Sequence, residues 1–200
     1  MRSRVQASCV LVAIVTLGGC KATSLVVPLQ YRPTSMLNVS RFGGVLPGGP
    51  DTTLFVAPVI DDREVKDQIG ENVEDPTPVP VFPTGPTAPE FFRDAVITHL
   101  QSAGLVTTAE EEKATHRLRF TLIRFWTRET NWYQSEVRAR ATIEDRAGKL
   151  LCDVLVAGAN KRFGRSLSRE NYQESLSDAT LDFSGNLLAS QEVQSALIPP

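Results

Sequence analysis

The sequence predicts an α+β domain: a mainly antiparallel sheet in the order strand, helix, three-strand meander, helix, with both helices packed on one face. Three observations predict it. Three long runs between residues 116 and 158 alternate apolar and polar residues, the period of a half-buried strand. Two segments, 88–103 and 171–187, instead repeat their apolar residues every three to four positions, the period of a helix. The apolar fraction of 42% and charged fraction of 22% are those of an ordinary globule, and 200 residues suit one domain with appendages.

The chain opens on a segment outside that globule. Arg2 and Arg4 form a positive region, and Cys9 to Leu17 form a short apolar run. A membrane span needs about 20 apolar residues, so this run has the length of a secretory signal peptide. It ends in Leu17-Gly18-Gly19-Cys20, followed by Lys21. Residues 1–19 are therefore expected to be a signal, and residues 20–50 the mature N-terminus and a flexible tether. That stretch carries Pro28, Pro33, Pro47 and Pro50 with Gly43, Gly44, Gly48 and Gly49. Ser24 to Leu29 within it is apolar enough to pair as an edge strand. The domain is expected over 51–192, with a tail at 193–200.

Thr53 to Ile60, "TLFVAPVI", reads as a buried strand. The polar stretch "DDREVKDQIGENVED" follows, then Pro76, Pro78, Pro80, Pro83, Pro86 and Pro89. So many residues without an N–H predict an extended loop with no ladder. Thr87 and Glu90 have the spacing of a capping box, with Pro89 in the first turn, and Gly104 supplies the stop. The helix between them, Ala88 to Ala103, shows Phe92, Val96, Leu100 and Ala103 on one face.

In the meander, Leu118, Phe120 and Leu122 alternate with Arg117, Arg119 and Thr121 until Ile123 breaks the pattern before Phe125, which predicts a bulge. Val137, Ala139, Ala141 and Ile143 alternate with Glu136, Arg138, Arg140 and Thr142. Asp145 to Lys149 is a tight turn, and Leu150 to Gly158 the return strand. In the last helix Tyr172, Leu176, Ala179, Phe183 and Leu187 share a face, with Asn171 as the expected cap and Glu174 third after it. Phe92 and Phe183 are expected to meet over the sheet.

Function is less legible. The formal charge of −2 includes no basic block, so there is no electrostatic case for nucleic acid. Loss of the signal leaves 19 basic and 23 acidic residues, a charge of −4. Only His99 and His116 are available, and no HExxH, GxSxG, Walker or GxGxxG motif occurs. No catalytic residue, cofactor or metal is assigned, and the chain is read as a non-enzyme. Cys152, between Leu151 and Asp153 in a strand, reads as a small buried hydrophobe rather than a nucleophile. Asp61, Asp62 and Glu64 follow a strand end, but Arg63 and Lys66 interleave with them. A salt bridge from Arg63 that pins the loop is the better reading than a metal site. The most unusual composition is "RFWTRETNWYQ", which holds both tryptophans. Arg124, Trp126, Arg128, Trp132 and Tyr133 are the candidate partner-binding residues, because Trp, Tyr and Arg are enriched at binding hot spots.

Two resemblances add to this reading. Leu17-Gly18-Gly19-Cys20 resembles the lipobox of bacterial lipoproteins, which implies diacylation of the Cys20 thiol, cleavage before it and acylation of the new amine. Cys9 then leaves with the signal and Cys152 remains the one free thiol. Lys21 stands where that family carries Asp for inner-membrane retention, which implies the outer membrane, periplasmic face, ahead of the inner membrane or the cell surface. The strand running into Asp61, Asp62 and Arg63, the pair Ile69-Gly70, the glycine-ended helix and the Asp145 to Gly148 turn resemble the YajG-type family of outer-membrane lipoproteins over about residues 52 to 192. That resemblance implies a fold and a compartment, and no reaction. The expected function is a lipid-anchored envelope module that binds a protein, glycan or lipid partner. The alternative is an auxiliary lipoprotein of an envelope transport or assembly system, such as ABC-type lipid transport.

Overall fold

A computed structural model describes residues 23–38 and 52–197. The fold is the expected α+β class, and it is organised by one strand. β7 (His116–Glu129) pairs antiparallel along its whole length with β8 (Tyr133–Asp145), which pairs with β9 (Leu150–Arg162). On its other edge β7 pairs in parallel with three short strands laid end to end. β2 (Thr53–Val56) lies along residues 116–118, β3 (Ile60–Asp61) along 121–122, and β4 (Gly70–Asn72) along 127–129. β6 (Val106–Thr108) extends the sheet beyond β2, and β5 (Val79–Thr84) and β1 (Leu25–Pro28) extend it beyond β4. The register breaks between Leu122 and Arg124, at the bulge that Ile123 announced. The bulge moves the inward positions from the even residues Leu118, Phe120 and Leu122 to the odd residues Phe125, Thr127 and Glu129.

The proline-rich segment departs from expectation, because β5 includes Pro80 and Pro83 and pairs on both sides. Alternation of the backbone explains how. Thr84 accepts from Leu29 N, just after β1, whereas Val81 accepts from Ile69 N on the β4 side. Pro80 therefore faces β1 one position before the pairing starts at Leu25↔Val81. Pro83 faces residue 68, where β4 has not begun, and the Gln68 carbonyl accepts instead from Arg63 Nη1 at 3.0 Å. Each missing N–H points where no ladder partner stands.

The stretch expected as a tether behaves as part of the domain where it is described. Leu25–Pro28 form the anticipated edge strand, with Val27 and Leu29 buried. The chain then crosses α2 (Arg169–Ala189): Arg32 N donates to Ser177 Oγ, and Thr34 donates through N and Oγ1 to the Asp178 carboxylate at 2.7 and 2.6 Å. Residues 191–196 form α3 (Gln191–Ala196), and Val193, Ala196 and Leu197 are buried, so the expected tail packs on the domain where it is described.

α1 (Ala88–Ser102) starts at the capping box: Glu90 N donates to Thr87 Oγ1, and Thr87 N donates to Glu90 Oε2. Gly104 follows it at φ +88°. The cap of α2 lies three residues before the expected Asn171. Ser168 is the N-cap, accepting from Asn171 N. Both helices lie on one face of the sheet, where Phe92, Phe120 and Phe183 meet edge-on with centroids 5.0 to 6.0 Å apart. α2 also comes close to the sheet at Gly158, where a Cβ would overlap the Phe183 amide nitrogen and the Ala179 carbonyl oxygen. Those are backbone atoms that cannot rotate away. Gly158→Ala is therefore expected to force α2 off the sheet and lower stability by about 1–3 kcal/mol or more. Urea unfolding beside the Gly148→Ala variant, which carries the backbone strain of φ +82° but no overlap, would check this, the Gly158 variant being the less stable.

Candidate partner-binding surface

With the helices on one face, the opposite face of β7, β8 and β9 faces outward. The inward side chains leave Arg117, Arg119, Arg124, Trp126 and Arg128 of β7 on that face, beside Glu136, Arg138 and Arg140 of β8. Carboxylates answer most of these cations. Arg124 Nε lies 2.9 Å from Glu136, Arg140 Nη1 3.0 Å from Asp153, and Arg117 and Arg119 share Glu144. Arg138 also pairs with Glu136, and Arg128 approaches Glu71 at 3.9 Å. Such exposed pairs each contribute well under about 1 kcal/mol. They order the side chains more than they stabilise the fold, and leave them accessible to a partner.

The five sequence-predicted residues divide into three settings. Arg124 and Trp126 line an open hollow of about 470 Å³ with Val65, Glu71 and Arg138. Arg128 is exposed beside it. Trp132 stands apart at the β7–β8 hairpin tip, 42% exposed, packed edge-on against Phe163 at 5.5 Å with Lys161 Nζ 5.0 Å from its ring centroid. Tyr133 is not a surface residue. It is buried, its Oη donates to the Arg165 carbonyl at 2.5 Å and accepts from Ser168 N at 3.0 Å, and its ring meets Tyr172 edge-on. Its inward place follows from strand parity, since Tyr133 stands opposite Glu129, itself inward.

Glu129 explains why the region around the tip is firm. It is fully buried, yet both carboxylate oxygens are used: Leu167 N donates to Oε1 and Tyr172 Oη to Oε2, each at 2.8 Å. Burial, then the charge of Glu129, push the Tyr172 hydroxyl far above its ordinary range, so it stays a donor. Leu167 has φ +51°, a rare value for a branched residue, held by this bond. The loop between β9 and α2, which carries Phe163, is thereby tied to the hairpin.

Sequence reasoning missed Phe163, 72% exposed, and the apolar outward positions Leu155, Ala157 and Ala159 on β9. β9 reads as apolar on both parities, so the sequence does not say which side is buried. β9 is an edge strand whose free backbone is partly covered by α2: Ala159 N donates to Asp182, and Asn186 Nδ2 donates to the Ala157 carbonyl.

The remaining reactive groups are structural. Arg63 clamps Asp61 through Nε and Nη2, both at 2.9 Å, and donates to the Lys66 and Gln68 carbonyls, which is the expected loop-pinning bridge. Partial burial works to raise the Asp61 pKa, and the Arg63 hydrogen bonds and charge outweigh it, so the carboxyl sits below its ordinary range. Cys152 is buried, and burial, then Glu192 and Asp153, push its thiol up. His99 lies between Tyr31 Oη at Nε2 and Ser184 Oγ at Nδ1, 2.7 Å away. Ser184 Oγ donates to the Thr180 carbonyl, so the hydrogen-bond network assigns the imidazole proton to Nδ1 and leaves His99 no serine proton to take. No group of His, Cys, Asp and Glu suited to a metal occurs among the described residues.

No family model matches the chain, and no curated protein matches it. Solved structures do. A Xanthomonas campestris protein of family DUF330 is 13% identical, covering 82% of this chain and 94% of its own, with a TM-score of 0.51. An uncharacterised protein is 12% identical over 82% of this chain and 97% of its own, with a TM-score of 0.53. A weaker likeness, TM-score 0.36 and 14% identity, is to a lipoprotein from Neisseria meningitidis, covering 57% of this chain and 88% of that one. At such identities the two structures with TM-scores above 0.5 share the fold with this chain and nothing more.

Two outcomes follow from the geometry. Tyr133→Ala is expected to lower the melting temperature strongly, as a buried aromatic truncation costs about 3–5 kcal/mol, whereas Trp132→Ala shifts it by only a few degrees; thermal melts of the two variants compare them directly. Burial lowers the His99 pKa to about 4 from an ordinary 6.5. The unfolded chain therefore binds the extra proton between those values, and stability falls as pH drops from about 6.5 to 4, by up to about 3 kcal/mol. Urea unfolding at several pH values should show a flatter dependence for His99→Gln than for the wild type.

Proposed function

We propose that this chain is a lipid-anchored, non-enzymatic envelope lipoprotein whose domain binds or scaffolds a partner at the periplasmic face of the outer membrane. The observation that carries this reading is Leu17-Gly18-Gly19-Cys20 after a charged and apolar leader. Cys20 and the leader lie outside the described residues. No helix among the described residues is long and apolar enough to cross a membrane, so in this reading attachment falls to the acyl chains on Cys20. One chain anchors marginally, at roughly 0.8 kcal/mol per buried methylene, and three hold the protein on the bilayer. Lys21 after the cysteine supports outer-membrane sorting, and the YajG-type resemblance over residues 52–192 supports the same compartment.

The binding part of the reading rests on the outer face of β7 and β8. Arg124, Trp126, Arg128 and Arg138 combine aromatic surface with cations held in place by Glu136 and Glu71. That composition suits a protein, glycan or lipid partner.

The test begins with Cys20→Ala. The wild type is expected to incorporate a fatty-acid probe and fractionate with the outer membrane, and the variant to incorporate none and remain uncleaved or soluble. An unlabelled wild-type protein overturns the anchor. In-cell crosslinking from position 126, followed by pull-down, then identifies the partner; recovery of a transport permease would select the auxiliary-subunit alternative.

A further inference from the structure

The position of the first described residues sets how the domain meets the membrane. If Cys20 carries the lipid, as proposed above, the leash is short. The structure describes the chain from Thr23, and Leu25 is already paired in the sheet. At 3.3–3.6 Å per extended residue, Cys20 lies within about 11 Å of Thr23. A domain on such a leash cannot stand off the bilayer, and the end of the molecule where the chain starts must lie against it.

The sheet register identifies that end. β1 runs parallel to β5, with Leu25 opposite Val81. Val81 stands opposite Gly70, and Gly70 opposite Thr127. Continuing backward from Leu25 therefore leads toward Val79, Asn72 and Glu129, where β7 turns into β8. β9 finishes at this end, and α2 starts there. Among the described residues, Trp132 and Phe163 are the exposed aromatic side chains at this end and touch one another, and Val26 of β1 is exposed as well. Lys161 lies over the indole, and Arg165 and Arg169 are exposed on the same loop and helix start. The exposed acidic groups nearby are Glu74, Asp75 and Glu170, while Glu129 is buried and Glu174 is paired with Arg162. Glu74 is hydrogen-bonded by Ser166 and Asn72, and Glu170 by Ser168. Charge is thus roughly balanced, and the attraction of this end to a bilayer is mainly that of an aromatic pair flanked by long cationic side chains. Such groups settle at the headgroup level, with ring bodies in the interface and cations toward phosphate.

We propose that the Trp132–Phe163 pair is a membrane-contact site: it sits in the interface of the same bilayer that holds the Cys20 acyl chains and orients the domain end-on. The outer face of β7 and β8 then stands upright, free for a partner.

The experiment uses the mature lipoprotein with Trp126→Phe, so that Trp132 is the sole tryptophan. It is reconstituted into phosphatidylethanolamine and phosphatidylglycerol vesicles whose acyl chains carry bromine near the headgroup. Emission from Trp132 is expected to be quenched by the brominated lipid and shielded from aqueous iodide. The companion variant Trp132→Phe reports Trp126, which lies three residues, about 10 Å, back from the Glu129 end of β7 and should escape the bromine. Phe163→Ala should weaken the quenching of Trp132. Protein that floats with the vesicles while Trp132 stays open to iodide keeps the anchor and overturns the contact site. Equal quenching of both tryptophans means the sheet lies flat and overturns the end-on orientation. Protein that does not float at all fails the anchor, and the contact site falls with it.

Discussion

The structure depends on β7 having partners on both edges. Its 14 residues hydrogen-bond to β8 on one side and to three short strands on the other. β2, β3 and β4 have four, two and three residues, too few to hold a ladder alone. A long strand supplies a fixed row of donors and acceptors, and each fragment docks where its residues fit. Gly70 marks one such fit, because a side chain there would overlap the Thr127 carbonyl. The polar loops between the fragments are pinned in turn, as Arg63 does for residues 61–68.

The second layer follows from where α2 lies. The helix has the sheet on one side and α1 on another, and residues 28–34 cross it. A helix enclosed in this way cannot show a simple apolar stripe. Ser177, Asp178 and Gln173 are buried because the crossing segment needs acceptors and donors for its backbone, and Ser184 because His99 does. Polar side chains buried with their partners cost little and fix the path of the crossing chain. This links the first described residues of the domain to its last long helix, so the chain's entry into the domain is held by the core and not by an edge strand alone.

These constraints shape what the molecule offers to others. The helical face is closed, and His99, Cys152 and Glu129 are inside it with their chemistry directed at packing. The residues proposed for contact lie on the outer sheet face and at the hairpin end. On the sheet face, arginines alternate with strand positions and are held by carboxylates across the strands. At the hairpin end, the buried Glu129 holds the loop that carries Phe163, so the exposed aromatic pair stands on a rigid base. A rigid contact surface loses less entropy on binding than a mobile one.

The sequence by itself determined the local features. The capping box at Thr87 and Glu90, the stop at Gly104, the bulge at Ile123, the meander and the aromatic cluster of Phe92 and Phe183 were legible, because caps, turns and periodic burial are set by residues close in sequence. The Arg63 bridge was legible for the same reason, its partners lying within five residues. Only the tertiary structure decided the rest. The prolines of β5 became strand residues because neighbouring strands end where those prolines face, a fact of register that no local pattern carries. The short strands β3, β4 and β6 exist because β7 and β2 offer an edge. Tyr133 was separated from Trp132 by strand parity, and Phe163 was brought to Trp132 across the end of the sheet. Hydrogen-bond partners distant in sequence set these outcomes, and a single chain read in order does not contain their geometry.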